Sequence, residues 1–123
     1  MMKKTARNSS PAAYLGVDDV VRRVRAELVL SEGGYPDLAG VSGRLFTSDR
    51  TLKRRLQQCG TSFQLLRDEA RQRDALRLLK NPNLEIRQIA TALGYSDPPS
   101  FTRAFLRWTG ELPSAARSKL QAP

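Results

Sequence analysis

Histidine is absent from the 123 residues, and cysteine occurs once, at Cys59. Without an imidazole, the Ser-His-Asp and Cys-His arrangements of nucleophilic catalysis cannot be built, nor can a metal site that relies on histidine. One thiol also excludes an internal disulfide framework and a multi-cysteine zinc centre. The remaining candidate catalysts are Asp, Glu and Cys59, and no spacing pairs two carboxylates or sets an activating base beside the thiol. The expectation is therefore a non-enzyme with no cofactor and no bound metal. What the composition does supply is positive charge: 21 Lys and Arg stand against 12 Asp and Glu, a formal net charge of +9. Such an excess suits a polyanion, either nucleic acid phosphates or the anionic face of a membrane.

The cations fall in two places of interest. Arg50, Lys53, Arg54 and Arg55 surround Leu52 and Leu56, and Arg103 and Arg107 surround Phe101 and Phe105. In each place the apolar residues lie four apart and form the inward stripe of a helix, so most of the basic residues must point elsewhere. The surrounding chain reads as helices throughout. Val17, Val20, Val21, Val24 and Leu28 recur at helical steps up to the stop Ser31-Glu32-Gly33-Gly34. Asp37 can cap a short helix bearing Leu38, Val41 and Leu45, and Ser48 or Asp49 can cap the next. Thr61 or Ser62 opens a longer helix, with Thr61 and Gln64 spaced for a capping box, and Pro82 ends it. Ile86, Ile89, Ala90 and Leu93 mark a short helix before the turn Gly94-Tyr95-Ser96, and a last helix follows Pro113. With no β signal, the fold class is all-α. Forty per cent hydrophobic residues are enough for a packed core in one domain, or in two small ones sharing a helix.

The informative feature is an internal repeat. Val41-Ser42-Gly43-Arg44-Leu45 aligns with Ile89-Ala90-Thr91-Ala92-Leu93, and Ser48-Asp49 with Ser96-Asp97. With one residue inserted in the second copy, Leu52 to Leu56 then falls on Phe101 to Phe105. A short apolar helix, a tight turn, a cap and a second helix with one inward stripe are the form of a helix-turn-helix, here twice. In that motif the second helix packs through one face and offers the other to the major groove. Arg54 and Arg103 occupy equivalent places, where a guanidinium fork can bond guanine O6 and N7 together. The Ser48 and Ser96 ends put backbone amides at a helix N-terminus, where a phosphate can be held. The intervening helix, from about Ser62 to Lys80, should run roughly 28 Å. That approaches the ~34 Å between successive major-groove faces, so one chain could present two readers to one side of a duplex.

On these residues the chain, from about Asp18 to Lys119, resembles the DNA-binding region of the AraC/XylS family of bacterial transcription regulators. The specific stretch is Ile86-Arg87-Gln88-Ile89-Ala90-Thr91-Ala92-Leu93-Gly94-Tyr95-Ser96-Asp97 and on through Phe101, Arg103, Phe105 and Gly110 to Pro113 and Arg117. Ser48 to Leu56 with Gly60-Thr61-Ser62-Phe63 is a weaker, independent match. The resemblance implies about seven helices in two helix-turn-helix subdomains joined by a linker helix. The boundaries read as a flexible basic arm or linker remnant over 1–16, a first subdomain over 17–61, a linker helix over 62–81 and a second subdomain over 82–123. It also implies base-facing positions at Arg50, Lys53 and Arg54 in the first recognition helix and at Ser100, Thr102 and Arg103 in the second. Ser48, Thr51, Arg55, Ser96 and Arg107 are the expected phosphate contacts. The expected function is sequence-specific binding of double-stranded DNA that regulates transcription, usually as an activator. RNA polymerase is the implied partner, and an N-terminal sensor domain absent from this chain is implied as well. With no stretch near the ~20 apolar residues of a membrane span and no apolar signal core after Met1 to Arg7, no membrane partner is expected. The expected location is the cytoplasm, associated with the nucleoid.

Four departures from the family pattern carry expectations. Phe46 stands where the first subdomain commonly has a turn glycine and Ser42 where it has alanine, which predicts a looser first subdomain. Pro99 falls near the start of the second recognition helix and offers no donor, and Glu85 stands where serine often caps. Plainer readings compete for several residues. A charge run is usually a solvated helix face, Arg103 can brace its own subdomain through its apolar stem, and the spacing of Phe63, Phe101, Phe105 and Trp108 favours core packing over base stacking. Arg67, Arg71, Arg73 and Arg77 face Asp68, Glu69 and Asp74 as a mutually paired, solvated set, with Arg71 a candidate for positioning the subdomains. The competing function is a general basic nucleic-acid-binding protein of the nucleoid kind, for which the net charge alone would suffice.

Overall fold

The computed structural model describes residues 17–121; the basic arm expected over 1–16 lies outside them. Seven helices run α1 (Val17–Glu27), α2 (Leu38–Arg44), α3 (Asp49–Gln58), α4 (Phe63–Leu79), α5 (Ile86–Ala92), α6 (Pro98–Thr109) and α7 (Pro113–Gln121). Among the described residues the sole β feature is an isolated bridge between Ser31 and Gly34, which closes the turn after α1, so the fold is all-α.

Local chemistry sets each helix start. Asp37 accepts the Gly40 N–H at 2.8 Å, and Ser48 rather than Asp49 accepts the Thr51 N–H at 3.1 Å. Ser62 Oγ takes the Leu65 N–H at 3.1 Å, so the cap of α4 is Ser62 and not Thr61. The Thr61 N–H is instead bonded to the Leu56 carbonyl and closes α3. At α5 the Glu85 N–H donates to Gln88 Oε1 at 2.7 Å, so this glutamate and the glutamine three residues on satisfy a helix start that serine would otherwise cap. Asp97 caps α6 by accepting the Ser100 N–H at 2.7 Å, which leaves Ser96 one residue outside the helix.

The chain forms two compact units. One consists of the chain up to Val29 together with Pro36–Arg67; the other consists of Leu30–Tyr35 and the chain from Asp68 onward. In the first, α1 and α2 both pack on α3, and Val20, Val24, Leu28, Val41, Leu45, Leu52 and Leu56 are buried. In the second, Ala75 and Leu79 of α4 join Ile89, Ala90, Leu93, Phe101, Phe105 and Ala116 in one core. The aromatics are part of that core: Phe101 and Phe105 are fully buried with ring centroids 5.8 Å apart, and Trp108 lies 6.4 Å from Phe105. Base stacking is thereby closed to Phe101 and Phe105. The helix α4 is shared, its first residues belonging to one unit and the rest to the other.

Candidate nucleic-acid interface

The two helix-turn-helix turns have the same backbone. After α2, the Phe46 N–H bonds the Gly43 carbonyl at 3.2 Å and the Thr47 N–H the Ser42 carbonyl at 3.0 Å. After α5, the Gly94 N–H bonds Thr91 and the Tyr95 N–H bonds Ala90, each at 3.0 Å. Both are Schellman closures, which require a left-handed residue just past the helix. Gly94 supplies it at φ +95°, and Phe46 supplies it at φ +57° with a side chain 75% exposed. The missing glycine has not changed the turn; the strain is borne by the phenylalanine.

Ser42 likewise does not loosen the first unit. It is buried, and its hydroxyl bonds the carboxylate of Asp49, the first residue of α3. This ties the first helix of the motif to the second. In the second motif the equivalent Ala90 is buried as a plain small side chain.

The caps register the two recognition helices on each other. Ser48 corresponds to Asp97, so the extra residue of the second copy lies in the turn before the cap. Arg50, Lys53 and Arg54 then correspond to Pro99, Thr102 and Arg103, while Leu52 and Leu56 correspond to Phe101 and Phe105. Arg50, Lys53, Arg54 and Arg103 are exposed, and Ser100 and Thr102 are half-buried. Arg103 Nη2 donates to Ser100 Oγ at 3.4 Å, so these two expected contacts meet at one point of α6. Arg55 is half-buried because its register position is that of buried Ala104. Arg107 is exposed, one turn beyond Arg103.

The helix starts differ as anion sites. In α3 the Ser48 hydroxyl satisfies the Thr51 N–H and also donates to Thr51 Oγ1 at 3.0 Å, and the N–H groups of Asp49 and Arg50 precede that bond. In α6 the first two residues are Pro98 and Pro99, which have no N–H. The third, Ser100, gives its N–H to Asp97, and this bond holds the Asp97 carboxyl below the usual carboxylate range. The amide cradle expected at the Ser96 end is therefore missing from the first turn of α6.

Several supporting residues escape a reading based on spacing. Arg71 is not on a solvated face: its side chain is 15% exposed, and its guanidinium lies 4.8 Å from the centre of the Tyr95 ring. Its Nε donates to the Leu93 carbonyl at 3.3 Å, bracing the turn that leads to α6. Asp74 is buried too, accepting the Tyr35 hydroxyl at 2.7 Å and bonds from Arg73 and Arg77. Burial works against its charge, but these donors outweigh burial and keep its carboxyl below the usual range. Burial and the same carboxylate push the Tyr35 hydroxyl well above its ordinary value. Arg117 donates to the Leu79 and Asn81 carbonyls at 3.2 Å each, closing the end of α4. The motif around Arg117 is visible in sequence, but which carbonyls it serves is not. No helix among the described residues is long and apolar enough to cross a membrane.

Two helix-turn-helix motifs with exposed, basic second helices define the class: a double helix-turn-helix unit of the kind found in DNA-binding regulators. A profile of helix-turn-helix domains matches residues 41–119. The chain belongs to that family, in its AraC-type branch. It is 41% identical over 100 residues to the ornithine utilization regulator of Pseudomonas aeruginosa, a match covering 81% of this chain and 30% of that protein. The crystal structure of the transcriptional regulator CdpR, also from Pseudomonas aeruginosa, superposes with a TM-score of 0.77 at 36% identity, over 83% of this chain and 32% of the other. The DNA-binding domain of AdpA, a global transcriptional factor solved in complex with a target DNA, superposes with a TM-score of 0.64 at 26% identity, over 90% and 93% of the two chains. These relatives are regulators rather than enzymes. The chain spans about 30% of the length of the ornithine regulator.

Proposed function

We propose that this protein binds double-stranded DNA in a sequence-specific manner and regulates transcription, inserting α3 and α6 into successive major-groove segments. The observation that carries the reading is the shared register: Arg54 and Arg103 stand at the same place beyond their caps, each exposed on a helix whose other face is core. Arg50, Lys53, Arg54, Ser100, Thr102 and Arg103 are the proposed base contacts. Ser48, Thr51, Arg55, Ser96 and Arg107 are the proposed phosphate contacts, with Ser96 acting through its side chain. The domain reading keeps a first subdomain over 17–61, a linker helix over 62–81 and a second subdomain over 82–123. RNA polymerase is the proposed protein partner, activation the proposed effect, and the cytoplasmic nucleoid the proposed location. The greater length of the relatives supports a sensor domain working with such a unit.

The test is selection of bound duplexes from a random pool, followed by competition between the selected and a scrambled duplex across salt concentrations. Preference for the selected duplex is expected at every salt concentration. Equal competition throughout would replace this function with general polyanion binding, for which phosphate contacts alone suffice.

A further inference from the structure

The cap-based register exposes an inequality between the two recognition helices. At the three outward places α3 carries Arg50, Lys53 and Arg54, all cationic, whereas α6 carries Pro99, Thr102 and Arg103. Pro99 is exposed and lies four residues before Arg103, so the two share one stripe of α6. It is at the N-terminal end of the helix, the part that reaches base edges when such a helix enters the major groove. Its ring has neither a donor nor a charge, and Pro98 before it likewise brings no N–H. A polar base edge gains nothing from this surface and loses water to it. One major-groove feature suits it: the C5-methyl group of thymine, the apolar mark of an A·T pair.

We propose that Pro99 is a specificity-determining residue of the second reader, which recognises a pyrimidine C5-methyl group through the exposed proline ring while neighbouring Arg103 bonds a nearby base. The half-buried Thr102 places a further methyl group on the helix. The two helices would then divide the work: α3 reads by charge-assisted hydrogen bonds, and α6 reads by one such residue and apolar contact. This inference rests on the function proposed above.

The experiment takes the selected duplex and replaces thymine by deoxyuridine, one position at a time, which deletes the methyl group and keeps every base-pairing bond. Within the half-site whose footprint disappears in Arg103→Ala, one such replacement is expected to weaken binding about four-fold, the worth of one buried methyl. Pro99→Ser, a change at an exposed position, should abolish that thymine-to-uracil ratio, whereas Arg54→Ala should lower affinity and leave the ratio intact. In a parallel arm, cytosines of the same half-site are replaced by 5-methylcytosine; tighter binding at one position, again abolished in Pro99→Ser, would assign the methyl to methylated cytosine instead. If the selected duplex is preferred over the scrambled one but no position of that half-site responds to the methyl group in either arm, the inference is overturned and the function stands. If the two duplexes compete equally, it is the function that has failed.

Discussion

The guanidinium of Arg71 on α4 donates to the carbonyl of Leu93 at 3.3 Å, the residue that caps the end of α5. The same group covers the Tyr95 ring, so one side chain holds two consecutive parts of the turn between α5 and α6. Replacing it by methionine retains the apolar stem but removes a charged hydrogen bond and a cation–π contact. A destabilisation of about 2 kcal/mol is expected in chemical denaturation. Arg71→Lys should restore only part of it, because an ammonium cannot bond the carbonyl and lie flat on the ring together.

Phe46 holds a left-handed conformation with most of its side chain in water. Phe46→Gly should therefore stabilise the protein by about 0.5 to 1 kcal/mol, the relief of the strain outweighing the added freedom of the unfolded chain. Phe46→Val should do the reverse, since a β-branched residue fits that region worst. Midpoints of denaturant unfolding check both.

Ser42→Ala should be tolerated to within about 1 kcal/mol. Asp49, whose hydrogen bond it deletes, is exposed and can take water in its place. The larger Ser42→Leu should cost about 1 to 3 kcal/mol, because the buried site has no room for the extra methylenes. The two variants together separate space from hydrogen bonding where α2 meets α3.

Asp74 gives stability a dependence on acid. Its carboxyl lies below the usual range in the folded state, so its contribution is present above the unfolded value of about 3.9 and disappears as pH falls through the folded one. Asp74→Ala should cost about 2 kcal/mol at neutral pH by leaving the half-buried Tyr35 hydroxyl without its carboxylate. The difference between variant and parent should shrink as the pH drops below that window, which a series of unfolding curves from neutral to strongly acidic pH would measure.

The charge inequality of the two readers predicts unequal salt dependence. Neutralising Arg50, Lys53 and Arg54 to glutamine should flatten the slope of log K against log salt by up to about 0.9 for each cation that neutralises a phosphate, whereas Arg103→Gln alone should remove at most one such step. Equal changes from both variants would contradict the division between α3 and α6.

Much of the architecture is legible from spacing alone. The stripes Val20–Val24–Leu28, Leu52–Leu56 and Phe101–Phe105 are buried as their four-residue steps require. The repeat points to equivalent places for Arg54 and Arg103, and the caps bear out that equivalence. Less legible is which of two adjacent polar residues caps a helix. Ser96 and Asp97 both have the chemistry, and the inserted residue in the turn decides for Asp97. The charges of α4 mislead for a similar reason: local pairing with Asp68 and Asp74 looks sufficient, while the partners that bury Arg71 and Asp74 come from Leu93, Tyr95 and Tyr35, distant in sequence.

By itself the sequence determined the helices, the doubled motif, the absence of imidazole chemistry and the place of the exposed cations, because these follow from residue type and a 3.6-residue period. Tertiary structure decided how the turns are held. Phe46 could take the glycine's conformation because its side chain is left in solvent, and Ser42 could replace alanine because Asp49 meets its hydroxyl across the motif. It also matched Pro99 with Arg50 in register, a correspondence that depends on where the second helix starts and so on a cap formed in three dimensions.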